Sequence, residues 1–106
     1  MTVHASAPRD VQELTAEQAA ELEASLKTAA ARRERQLAEL PADHSDLVAA
    51  AHRESVVRIL EEIRAAQARL VAGRFGRCES CGTAIPVERL ELRPWTTQCV
   101  GCALRS

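Results

Sequence analysis

Four cysteines, Cys78, Cys81, Cys99 and Cys102, carry the chemistry this sequence offers. They form two Cys-x2-Cys pairs with seventeen residues between Cys81 and Cys99, a spacing suited to one ion held by four thiolates. A two-residue gap lets both sulfurs of a pair point at one ion from a tight turn. Gly82 follows the first pair and Gly101 sits inside the second, where a small residue lets backbone amides approach sulfur. Four protein ligands leave no position for water or substrate, so the expected cofactor is one structural Zn2+ and no enzymatic activity is expected. Iron accepts the same tetrahedral cage. Two disulfides would need an oxidising compartment, and a redox dithiol would need one pair beside a βαβ pattern. The start, MTVHASAPRD, carries no signal-peptide apolar run, and no segment approaches the ~20 apolar residues that span a membrane. A cytoplasmic protein with no membrane partner is expected.

The cysteines need elements to hold them. The fold expected is mainly α: a long antiparallel two-helix coiled-coil hairpin with a small C-terminal four-cysteine zinc ribbon. Residues 1–14 read as a flexible arm, 15–73 as the hairpin with its tip at 41–48, and 74–106 as the zinc-finger domain. Thr15 and Gln18 fit a capping box behind Leu14. Leu22, Leu26, Ala30, Leu37 and Leu40 recur in steps of three and four, interrupted by Arg33, whose stem is expected to be buried with its charge in water. Pro41 stops the first helix. A second starts near Asp43 or Ser45, with a face through Leu47, Ala50 or Ala51, Val56, Ile59 or Leu60, Ile63, Gln67 and Leu70, and ends at Gly73 and Gly76. Each helix is about 25 residues, or roughly 40 Å. The short connection makes them antiparallel neighbours. An apolar seam with small alanines leaves dimerisation open.

At 106 residues the chain is one small unit whose only aromatics are Phe75 and Trp95. Such a unit needs a staple, a partner or a supercoil. Phe75, Ile85, Leu90, Leu92 and Trp95 are expected to pack around the cysteines and the hairpin base. A net charge of −1 argues against a strongly basic nucleic-acid binder, and no sequence-specific DNA binding is expected.

The stretch from Phe75 to Gly82, then Ile85, Arg89 to Pro94, and Cys99-Val100-Gly101-Cys102, resembles the DksA/TraR zinc-finger family of bacterial transcription regulators. The resemblance is specific over about thirty residues, and the hairpin ahead agrees in architecture. It implies a partner, RNA polymerase, bound directly through its secondary channel with the coiled-coil tip near the active site, so that promoter-complex stability shifts. The family tip reads Asp-x-x-Asp-x-Ala. Here Asp43-His44-Ser45-Asp46-Leu47-Val48 matches both aspartates and places Val48 where alanine is usual. Asp43 can also cap the second helix, leaving Asp46 in its first turn.

Some members respond to guanosine tetraphosphate. Arg93 matches a basic residue of that site, whereas Glu62 and Ala103 stand where lysines are expected, so little or no response is expected. With four residues after Cys102, the C-terminal helix of longer members is expected to be missing. Two other readings use the same features. One is a nucleic-acid-binding zinc finger presenting Arg74, Arg77, Arg89, Arg93 and Arg105. The other is a scaffold hairpin for a different partner.

Overall fold

The computed structural model describes residues 14–41 and 46–105. Helix α1 (Ala16–Glu39) begins at the expected capping box: Thr15 Oγ1 accepts from the Gln18 amide at 3.0 Å, and Gln18 Oε1 accepts from the Thr15 amide at 3.0 Å. It ends at Glu39, two residues before Pro41, with Leu40 already extended at φ −75° and ψ 145°. Helix α2 (Leu47–Ala72) closes on Gly73 at φ 76°, a left-handed turn that glycine adopts without strain. The Gly73 amide donates to Leu70 O at 3.2 Å and the Arg74 amide to Arg69 O at 2.9 Å, a Schellman pair that satisfies the last carbonyls.

The start of α2 differs from expectation. Asp46, not Asp43 or Ser45, is the N-cap: its Oδ1 accepts from the amides of Val48 at 3.0 Å and Ala49 at 3.3 Å. Asp43 lies outside the described residues, as do residues 1–13 of the expected arm.

The helices pack antiparallel along a seam of Leu22, Leu26 and Ala30 against Val56, Leu60, Ile63 and Ala66. Two seam expectations change. Ala66 is buried and Gln67 only half-buried, while Leu47, proposed as the first seam residue, is 82% exposed. Leu47 follows the cap directly, at the end of the hairpin where no described residue is buried. Beyond Ala30 and Val56 no described residue of the hairpin is buried. Polar contacts take over: Gln36 Nε2 lies 3.2 Å from His52 Nε2, and Arg53 Nη2 donates to Leu40 O at 3.2 Å and Pro41 O at 2.6 Å. Arg53 thus satisfies carbonyls left over where α1 stops. The exposed Arg64–Glu34 pair at 2.7 Å adds at most about 1 kcal/mol. Stability is therefore graded, highest at the base and lowest toward the tip.

After Arg74 the chain folds back on the base of the hairpin. Two short helices follow, α3 (Val87–Leu92) and α4 (Val100–Arg105), with one isolated antiparallel bridge between Arg77 and Ala84. Phe75, Cys78, Ile85, Leu90 and Cys102 join Leu22, Leu26 and Ile63 in one buried cluster, with half-buried Trp95 against it. Finger and hairpin base share a single core. Leu92 is not part of it: it is 87% exposed, because two positions along a helix from Leu90 is nearly the opposite face.

Leu26 is fully buried at the centre of that cluster. Leu26→Ala is expected to cost about 2–5 kcal/mol, read as a lower urea midpoint for the zinc-loaded chain. An unchanged midpoint would mean that finger and hairpin do not share this core.

Candidate metal centre

The first cysteine pair sits on a turn whose backbone is locked from within. The Gly82 amide donates to Cys78 O at 2.8 Å, and the Cys78 amide to Thr83 O at 2.8 Å. Gly82 closes this turn at φ 79°, where a side chain would be strained. The second pair differs from the expected turn: Cys99 immediately precedes α4 and Cys102 lies on its first turn, with the Ala103 amide donating to Cys99 O at 2.9 Å. The Glu79 amide donates to Thr97 O at 2.8 Å and joins the two halves.

All four sulfurs lie within 4.8 Å of one another, and Cys81 Sγ is 3.7 Å from Cys99 Sγ. Four metal–sulfur bonds of ~2.3 Å in a tetrahedron give sulfur–sulfur edges of ~3.8 Å. The cage fits one zinc-sized ion. Cys78 and Cys102 are buried and Cys81 is exposed, so the site lies at the edge of the core.

The sulfurs are surrounded by donors. The Cys99 backbone N–H brings the Cys78 thiol down from 9.0 to about 6 against the opposing effect of burial, helped by the N–H groups of Cys81 and Ser80. The Thr83 hydroxyl, 3.2 Å from Cys81 Sγ, lowers that thiol too. Cys102 moves the other way, to about 12, because it shares its proton with Cys81 and because it is buried. With no ion bound, the cluster keeps a proton that zinc must expel. A four-thiolate zinc site carries a formal −2, and Arg105 Nη2 donates to Cys102 Sγ at 3.3 Å beside it. Thr83 was not among the expected site residues, and Arg105 was expected only in the nucleic-acid reading. Their signal is positional: Thr83 is two residues past Cys81, and Arg105 is one helical turn past Cys102.

Cys78 is depressed, so its contribution to stability is present above 9.0 and is lost as pH falls through about 6. Bound zinc depresses the thiols further. Because bound zinc holds the thiols deprotonated, zinc is expected to stay bound at neutral pH and to be released on acidification, read with a chromogenic chelator. Complete release by pH 7 would contradict this geometry.

At the far end of the hairpin, Asp46 is exposed and Val48 is 79% exposed on the first turn of α2. Arg93, Glu62 and Ala103 line one groove between α2 and the finger, together with Arg58, Arg69 and Arg89. The first three are linked to an effector only by the family resemblance, and the groove also holds Glu61 and Glu79. Arg69 lies 3.7 Å from Glu79, and Arg89 Nε donates to Gln98 O at 2.9 Å.

Residues 73–106 match the prokaryotic dksA/traR C4-type zinc finger. The C-terminal third of the chain is thus a DksA/TraR-type zinc finger, and its four cysteines are positioned to hold one structural Zn2+. An RNA polymerase binding protein and transcriptional regulator Dks from Chlamydia trachomatis L2 superposes with a TM-score of 0.65 at 22% identity, covering 88% of this chain and 91% of that one. It shares the fold. The transcription factor DksA2 from Pseudomonas aeruginosa is 32% identical over 84% of this chain and 74% of that one, with a TM-score of 0.40. An uncharacterized protein from Aquifex aeolicus (strain VF5) is 43% identical over 47 residues, 44% of this chain and 32% of that protein. The chain thus matches about a third of that curated relative's length. Among the described residues, no helix is long and apolar enough to cross a membrane.

Proposed function

We propose that this chain is a non-enzymatic cytoplasmic regulator of transcription that binds RNA polymerase through the secondary channel. The hairpin tip, with Asp43, Asp46 and Val48, lies near the active site, and the zinc-stabilised base rests outside. Contact at the tip shifts the stability of promoter complexes. One observation carries the reading: a DksA/TraR-type finger closes the base of a long hairpin whose other end exposes an aspartate on a helix N-cap. The Chlamydia protein of the same fold is itself a polymerase-binding regulator, which supports the same partner here.

Arg93 contributes a cationic contact from the groove beside the finger. Glu62 in the same groove opposes a polyphosphate, so guanosine tetraphosphate has little effect on this regulator. The nucleic-acid reading loses most of its candidate arginines to internal contacts. Arg77 bonds Gly82 O, Arg89 bonds Gln98 O and Arg105 bonds Cys102 Sγ, which leaves Arg74 and Arg93.

The test is binding of the zinc-loaded chain to purified cognate core polymerase, with a duplex oligonucleotide in parallel. Saturable one-to-one binding to polymerase and none to DNA at low salt is expected. DNA binding that falls steeply with salt, without polymerase binding, would overturn the reading.

A further inference from the structure

Trp95 is half-buried where the finger meets the hairpin, and on its α1 side lies a cleft. Ser25, Thr28, Arg32 and Arg33 form one wall, and Leu92 and Trp95 the other. The charged residues of this cleft are both arginines, in a chain of net charge −1. Arg33 Nη1 donates to Gln36 Oε1 at 3.3 Å, but Arg33 Nε is buried with no hydrogen-bond partner. The expected snorkelling of Arg33 is thus incomplete: one donor of the guanidinium stays under cover. A buried donor left without an acceptor costs about 1–3 kcal/mol, more for a charged group. Arg32 is exposed, with no ion pair or hydrogen bond among the described residues. Beside these donors Leu92 holds an aliphatic side chain out in solvent, at 87% exposure.

Two arginines, a serine and a threonine line this cleft beside Trp95, with no carboxylate among its described lining residues. A carboxylate from outside would meet charge-assisted donors, and an aliphatic neighbour of that carboxylate would cover Leu92. A nucleic-acid phosphate would meet the arginines but leave Leu92 exposed.

We propose that the cleft between α1 and the finger is a docking surface for an acidic segment of RNA polymerase, a carboxylate flanked by an aliphatic side chain. The proposal rests on polymerase being the partner, and it adds a grip at the base of the hairpin, remote from the tip. Such a grip fixes how the hairpin is held while the tip acts.

The experiment measures affinity of the zinc-loaded full chain for purified cognate core polymerase by biolayer interferometry. The variants are Arg32→Glu, Leu92→Glu and, on α1 but outside the cleft, Arg35→Glu. Arg32 and Leu92 are exposed, so helicity and zinc content are expected to match the parent and are checked for each protein. Arg32→Glu and Leu92→Glu are each expected to raise Kd at least tenfold, and Arg35→Glu less than twofold. Parent-like binding by Arg32→Glu and Leu92→Glu overturns the cleft while leaving polymerase as the partner. An equal loss in all three variants also overturns it, in favour of diffuse electrostatics. A parent chain that does not bind polymerase overturns the functional reading and this proposal together. Capture of a duplex oligonucleotide that Arg32→Glu abolishes would replace the acidic segment by a phosphate backbone.

Discussion

Cys78→Ser is expected to reduce zinc content from one ion per chain to near zero and to unfold the finger with it. Serine oxygen is a poor substitute for thiolate, and Cys78 is the sulfur most strongly held in its charged form by backbone N–H groups. Structural zinc in small fingers is worth about 10–16 kcal/mol of binding free energy. That is comparable to the entire stability of an ordinary domain, about 5–15 kcal/mol. The damage should also pass into the hairpin, since Phe75, Ile85 and Leu90 cover the same cluster as Leu22, Leu26 and Ile63. The expected readings are loss of chelatable zinc, a red shift in Trp95 emission, and a lower, broader urea transition in helicity. Chelator treatment of the parent chain should reproduce all three. A Cys78→Ser protein with one zinc and a sharp transition would remove Cys78 from the ligand set.

Asp46→Asn is expected to abolish the effect on promoter-complex lifetime, at least tenfold at equal occupancy of polymerase, while stability changes by about 1 kcal/mol or less. Asparagine caps helices as well as aspartate does, so the bonds to the Val48 and Ala49 amides survive. What disappears is the negative charge, and its favourable interaction with the helix N-terminus is worth about 0.3–1 kcal/mol. Asp46→Ala is the informative companion, because it removes cap and charge together at about 1 kcal/mol. If Asn retains full regulation and Ala loses it, Asp46 serves only to start α2. If both lose it, the carboxylate itself acts on polymerase.

The elements most legible in the sequence are those where one local rule dominates. Thr15 with Gln18, and Leu40 before Pro41, each have a single solution, and both ends of α1 fall there. The four cysteines are equally direct, since the spacing admits one cage and the sulfurs gather into it. The start of α2 was ambiguous because Asp43, Ser45 and Asp46 are all good caps within four residues, and local preference does not rank them. Leu92 misled for a different reason. In Leu90-Glu91-Leu92 the alternation reads as two equivalent apolar residues, but a helical turn sends only Leu90 inward. Ala66 was passed over for Gln67 because alanine gives little contrast in an alanine-rich helix, although only the small side chain lies fully under the finger. Arg53 had no sequence signal at all. Its role depends on carbonyl groups more than ten residues away across the hairpin.

The hairpin gives the molecule extents of 62 × 31 × 20 Å and a radius of gyration of 16.5 Å. A compact protein of this length has a radius of gyration of about 13 Å. A single 11.5 kDa chain should therefore diffuse slowly for its mass and leave a gel-filtration column early, close to the volume of a globular protein of twice its size. Elution volume alone would count one elongated chain as two; light scattering or sedimentation equilibrium, which weigh particles independently of shape, gives the true number.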